Sequence, residues 1–252
     1  MLITIITATY NSEEYLPAAL NSYRQQKYVE KELLVIDGES KDETLNIIKA
    51  YKDCVTEYHS EKDRGIYDAL NKGIELAKGD IIGILHSDDF FSSEEVLNRV
   101  AEKFKDNPEL MAVYGDLEYV DRIDSDKVIR YWQSGYFSRL KMKLGWMPPH
   151  PTLFIKKECF VKCGVYDLSY RSAADYDLIL RFLYKNKLKT GYIPEVLMKM
   201  RVGGLSNHSL KNRWRANQED RKAMSKNGIP LSFLIAILKP LSKLGQYFRK
   251  NL

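Results

Sequence analysis

The chain is poor in cysteine. Cys54, Cys159 and Cys163 are its three, and no two form a Cys-x-x-Cys pair. That excludes a thiolate zinc knuckle and a disulfide scaffold, and it fits ordinary thiols in a reducing compartment. Long apolar runs are lacking too: "LSFLIAIL" (231–238) is too short to span a bilayer. The N-terminus, "MLITIITATYN", has no basic leader and no cleavage site, so a first strand is expected there and not a signal peptide. Glycine is missing where a dinucleotide site needs it. The turn after the first strand reads "TATYNSEE", which excludes G-x-G-x-x-G, and no G-x-x-x-x-G-K-[ST] occurs. The charge has no strong sign: 39 Lys and Arg against 34 Asp and Glu leave +5, too little to argue for nucleic acid.

What is present is alternation. Strand-length apolar runs occur at 2–8, 31–37, 55–60, 80–87 and 111–121. Between them lie stretches with helical spacing, such as Tyr15, Leu16, Ala19, Leu20 and Tyr23. Two of these open on Ser-x-x-Glu, at Ser40–Glu43 and again at Ser92–Glu95, which predicts capping boxes. Gly79 is expected to close the helix before the fourth strand. Strands alternating with helices predict βαβ units and a mostly parallel sheet with helices on both faces. Ligands bind such sheets beyond the carboxyl ends of the strands. "TATYN", "DGESKDET" and "HSDD" all fall at strand ends and are expected on one edge.

"HSDD" needs a reason. Asp88 and Asp89 repel each other unless something compensates them. A divalent cation held by both, Mg²⁺ or Mn²⁺, would bridge the phosphates of a nucleotide sugar. Acidic residues are also welcome before a helix, so the pair alone leaves both readings open.

Taken together, "ITATYNSEEYLPAALNSYRQQ", "LLVIDGESKDET" and "SEKDRGIYDALNKGIELAKGDIIGILHSDD" resemble the family 2 glycosyltransferases, over roughly residues 2 to 205. The resemblance is to bacterial members that build polysaccharide and lipopolysaccharide. It implies the GT-A fold: an α/β nucleotide-diphospho-sugar transferase with a mostly parallel mixed sheet, flanking helices and a C-terminal helical tail. It implies an inverting transfer from a nucleotide-diphosphate sugar to an acceptor hydroxyl on a glycan or lipid-linked acceptor. A domain at 1–225 is expected, with a donor half (1–120) and an acceptor half (121–225), and then a tail at 226–252.

The resemblance also implies roles. Thr9, Tyr10 and Asn11 would frame the nucleotide. Asp37 would accept from the base or ribose, with Ser40 capping the helix behind it. Asp63 and Arg64 would line the donor pocket, a surface ion pair being the alternative. Asn71 would cap the helix or contact the sugar. His86 stands where the family usually has an Asp, so His86 and Ser87 would touch the donor while Asp88 and Asp89 hold the metal. Of the family's Glu-Asp pair only Asp175 is present, and it is the candidate base. Trp146 would stack on a sugar. His150 would meet the diphosphate or acceptor, or else be a fixed loop residue. Gly203, Gly204 and Ser206, with Arg201 and His208 as further candidates, would form a closing loop.

From Ile229 the tail carries Lys239, Lys243, Arg249 and Lys250 and no acidic residue. It would lie on an anionic membrane face or pack on a partner, a second copy of the chain included. The protein is expected in the cytoplasm, on the inner face of the membrane if the tail binds it. The missing first Asp and missing Glu also motivate an alternative: a non-catalytic nucleotide-sugar binder.

Overall fold

The computed structural model describes residues 1–203, 210–230, 232, 233 and 235, with 210–213 as backbone only. The parallel half is built around β1 (Ile3–Thr9), every residue of which is buried. A strand covered on both faces reads as an unbroken apolar run, which is why "ITIITAT" shows no alternation. β1 lies between two parallel neighbours, β2 (Lys31–Asp37) and β4 (Ile81–Ile84), and β3 (Glu57–Ser60) pairs parallel with β2. The crossovers carry helices α1 (Leu16–Arg24), α2 (Thr44–Ala50) and α3 (Ile66–Leu76). On α3 the buried positions Ala69, Leu70, Gly73 and Ile74 recur at helical spacing, so one stripe packs on the sheet.

Beyond β4 the sheet becomes mixed. β8 (Phe154–Lys156) runs antiparallel to β4, and β6 (Ala112–Val120) runs antiparallel to β8. β9 (Thr190–Arg201) is parallel to β6. β5 (Asp89–Phe91) closes the far side against β9, and β7 (Val128–Trp132) pairs with β6. Among the described residues a nine-stranded sheet thus joins the two halves of the chain. Gly83 lets β4 approach β8, because a Cβ there would meet the Phe154 ring at 2.6 Å. The remaining helices are α4 (Val96–Asp106), α5 (Arg139–Lys143), α6 (Lys157–Cys163), α7 (Ala174–Ile179) and α8 (Leu210–Lys226). A 3₁₀ turn spans His150–Thr152, and a π-helical turn, Leu180–Lys185, extends α7.

Three local expectations are corrected. α2 starts at Thr44 with Glu43 in the cap position and no side-chain cap, so Ser40 caps nothing. α4 starts after Glu95 without a side-chain cap either. α3 ends at Leu76 with Ala77 extended, and Gly79 instead donates its N–H to Thr4 Oγ1. In each case a tertiary partner took the group that local propensity had assigned to the helix.

Candidate active site at the carboxyl edge of the sheet

β1, β2 and β4 run parallel, so Thr9, Asp37 and the turn after Ile84 emerge on one edge, as expected. Asp37 organises that edge. It is fully buried and accepts from Thr9 Oγ1 at 3.1 Å, Ser60 Oγ at 2.6 Å, the Ser40 N–H at 3.0 Å and the Ser40 hydroxyl. Four donors fill the lone-pair directions of one carboxylate. The expectation that Asp37 accepts from a base or ribose is therefore corrected: here it ties β1, β2 and β3 together. Ser40 in turn accepts the Asn11 N–H at 2.8 Å, and Asn11 Oδ1 accepts the Lys41 N–H at 2.9 Å. Asn11 has φ +48°, a left-handed conformation that Asn tolerates better than most residues. Tyr10 beside it is left 63% exposed.

Asp63 sits against the same corner. A Cβ on Gly38 would lie 2.6 Å from Asp63 Oδ2 and 3.3 Å from the Tyr10 ring, so a larger residue there would displace the Asp63 side chain. Arg64 does not pair with Asp63. Its guanidinium reaches Asp68 at 2.8 Å, one helical turn on, and that pairing draws the Asp68 acid below its usual range. The Arg64 side chain remains 76% exposed.

The turn "HSDD" separates its two carboxylates. The Asp89 N–H closes back on the His86 carbonyl at 3.1 Å, and Asp89 then enters β5 opposite Met200. Asp88 stays in the turn that precedes the strand. Asp88 is left half-buried at the edge, whereas Asp89 is fully enclosed and its oxygens make no hydrogen bond of good geometry among the described residues. Burial, and then the Asp88 charge, push the Asp89 acid well above the usual carboxylate range, against the pull of Arg201. Asp89 is an interior acid whose enclosure separates it from Asp88, which corrects the expectation of two carboxylates side by side at the edge. Among the described residues no three His, Cys, Asp or Glu side chains are gathered to hold a metal. Asp88 alone offers a hard oxygen, which suits a cation that completes its shell with ligand phosphates and water. Arg201 fixes the turn from β9, donating to the Asp88 carbonyl at 2.7 Å. Ser87 Oγ accepts from Ser12 Oγ at 3.0 Å.

The other wall comes from the second half of the chain. Asp175 is the second residue of α7, half-buried, and its Oδ1 accepts from Tyr67 Oη at 3.2 Å and from the Tyr176 N–H at 2.8 Å. Tyr67 stacks on Tyr166 at 5.5 Å between centroids, and the Tyr166 hydroxyl meets His150 Nε2 at 2.7 Å. The His150 and His86 rings are 5.8 Å apart. Burial holds both imidazoles down to about 4, His86 further lowered by its proximity to His150, while Asp88 and Asp175 pull His86 upward. Both rings are neutral at pH 7, and His86 feels carboxylates from both walls.

Several expected contacts are taken by the protein itself. Asn71 gives both ends of its amide to the Tyr166 backbone, each at 2.9 Å, so it is a strut and not a sugar contact. The Trp146 indole N–H is spent on the Ser134 carbonyl, and its ring lies edge-on to Tyr114 and Phe137. His150 is 7% exposed, behind His86. Gly203 is exposed with φ +96°; Gly204, Ser206 and His208 lie outside the described residues. Sequence reasoning missed Tyr166 and Ser12. Tyr166 joins the site through contacts across some ninety-five positions, which no local pattern signals.

This architecture, with an acidic turn after the fourth strand facing a carboxylate at a helix start, is the GT-A fold of nucleotide-sugar transferases. Two solved structures share it at 18% identity. S. aureus TarS 1–349 in complex with UDP-GlcNAc superposes with TM-score 0.74 over 98% of this chain and 73% of that one. The mannosyltransferase PcManGT from Pyrobaculum calidifontis, in complex with GDP-Man and Mn²⁺, gives 0.69 over 98% and 72%. A family model described as glycosyl transferase family 2 matches residues 4–157. A PGL/p-HBAD biosynthesis glycosyltransferase of Mycobacterium bovis is 33% identical over 210 residues, 82% of this chain and 79% of that protein. An uncharacterized glycosyltransferase of Rickettsia typhi is 30% identical over 207 residues, 80% of this chain and 64% of that protein. The chain belongs to glycosyl transferase family 2.

Proposed function

We propose that this glycosyltransferase moves a sugar from a nucleoside-diphosphate donor to an acceptor hydroxyl with inversion, in the synthesis of a cell-surface polysaccharide or glycolipid, at the cytoplasmic side of the membrane. The observation that carries this reading is that the turn bearing His86 and Asp88 lies against the wall bearing Asp175, the His86 and His150 rings 5.8 Å apart and Asp175 held on that wall by Tyr67. The diphosphate lies at the strand ends and the acceptor on the α7 side. Residues 1–225 form the transferase unit in this reading, and 226–252 the tail.

Asp175 takes the proton of the acceptor hydroxyl while that oxygen attacks the anomeric carbon and the nucleoside diphosphate departs from the opposite face. The Tyr67 hydroxyl and the Tyr176 N–H hold Oδ1 and so fix the carboxylate's orientation. Neutral His86 donates to donor oxygens without adding charge. Asp88 would hold a divalent cation jointly with the donor phosphates; when bound, that cation neutralises the charge developing on the leaving diphosphate.

His86 in place of a carboxylate also favours a second reading, a nucleotide-sugar binder without turnover. A panel of nucleotide sugars with Mn²⁺ separates the two. Turnover that falls about 10²- to 10⁴-fold in Asp175→Asn, with thermal stabilisation by nucleoside diphosphate intact, supports the base assignment. Donor binding without transfer or hydrolysis under any condition supports the binder. Turnover untouched by Asp175→Asn removes Asp175 as the base.

A further inference from the structure

From Lys127 to Lys157 the chain has seven Lys and Arg and no Asp or Glu. Within this span Tyr136, Leu140 and Leu144 follow one another at intervals of four. They are 75%, 67% and 65% exposed, well beyond what isolated surface leucines require. Met142, fully buried, points the other way and anchors the turn, and the Ser138 side chain caps α5 by accepting the Lys141 N–H. Arg139, Lys141 and Lys143, all exposed, neighbour the two leucines along the chain. Arg139 lies over the Tyr184 ring at 4.8 Å and Lys141 reaches the Tyr136 carbonyl at 3.5 Å. Among the described residues none of the three is paired with a carboxylate.

We infer that the segment Tyr136–Leu144 is a membrane-docking surface: its aromatic and aliphatic side chains enter the headgroup boundary of an anionic phospholipid bilayer while Arg139, Lys141 and Lys143 meet the lipid phosphates. Exposed apolar side chains interspersed with cations that meet no carboxylate among the described residues are the chemistry such an interface selects. A second copy of the chain is the poorer occupant, because an isologous contact would set one cationic ring against another. Leu144 is also six residues from His150, within roughly 20 Å along the chain, so docking here brings the bilayer beside the acceptor wall. This surface is distinct from the basic tail and does not depend on the identity of the sugar donor.

The test uses the full chain and sedimentation with vesicles of phosphatidylcholine alone or with one-third phosphatidylglycerol. Each basic residue near an anionic surface is worth about fivefold in partitioning, so Lys141→Glu with Lys143→Glu should lower binding to anionic vesicles by at least about 25-fold. Leu140→Ser with Leu144→Ser should lower it comparably. All four side chains are exposed, so melting temperature and its shift with nucleoside diphosphate should not change in either variant. Wild-type binding that is absent, equal on neutral vesicles, or unaffected by both variants overturns the inference. So does binding lost only when Lys239, Lys243, Arg249 and Lys250 are replaced. A wild-type dimer that Leu140→Ser with Leu144→Ser converts to monomer in sedimentation velocity assigns the face to a second copy and also overturns it.

Discussion

On the strand side of the site, Asp37 spends its carboxylate on Thr9, Ser40 and Ser60. On the helix side, Asp175 stands among rings: Tyr67, Tyr166, His150 and His86. The strand side is held by polar saturation, with nearly every donor and acceptor answered by the protein. The helix side is held by packing, and its ionisable groups sit where water is scarce. The first arrangement fixes a shape before any ligand arrives. The second shifts proton affinities, which is where general acid–base chemistry is found.

The contrast breaks most visibly at Asp37. Asp37→Ala leaves buried donors on Thr9, Ser40 and Ser60 without an acceptor, and a loss of about 3–5 kcal/mol is expected. Urea unfolding should show a lower midpoint with an unchanged slope. A loss under about 1 kcal/mol would mean that the strand edge does not depend on this carboxylate.

Next is the protonation of His150. Its imidazole titrates at about 4 in the folded chain against 6.5 for the ordinary group. Above pH 6.5 both folded and unfolded chains hold it neutral, and its contribution to stability is complete. As the pH falls from 6.5 towards 4 the unfolded chain takes up a proton that the folded chain refuses, so stability is lost. The loss reaches up to about 3 kcal/mol. His150→Gln keeps a side chain able to meet the Tyr166 hydroxyl but cannot titrate. Denaturation at pH 7.5 and 4.5 should therefore show a smaller fall in the variant; equal falls would remove His150 as the cause.

The smallest effect sharpens the comparison within a single turn. Asp88→Asn should raise the Mn²⁺ concentration needed for half-maximal turnover by about tenfold or more, whereas Asp89→Asn, at a side chain enclosed in the interior, should leave it unchanged. Equal responses would return both residues to the metal.

The parallel half of the fold was legible in the sequence because its strands are buried on both faces and its helices are amphipathic: β1 to β4 lie where the apolar runs lie. β5, three residues long, was not, since only its partner β9, more than a hundred positions away, makes it a strand. The convergence of "TATYN", "DGES" and "HSDD" was legible because parallel strands share an edge. The internal use of Asp37, Asn71 and Ser40 was not, because each is a choice between ligand, helix and neighbouring chain that only tertiary contact decides. Asp88 and Asp89 look alike in sequence, and only the pairing of Asp89 into β5, with Asp88 left in the turn before it, tells them apart.

The bond from Tyr67 to Asp175 spans 108 positions and the strut from Asn71 to Tyr166 spans 95, whereas Thr9 meets Asp37 across 28. Long closures are slow to form, and chains are synthesised from the N-terminus. The strand edge can therefore assemble early in synthesis, while the wall bearing Asp175 joins it only after most of the chain has been made. During that interval the nascent protein holds the Asp37 corner without Asp175 opposite it, so the two walls of the site come together late in synthesis.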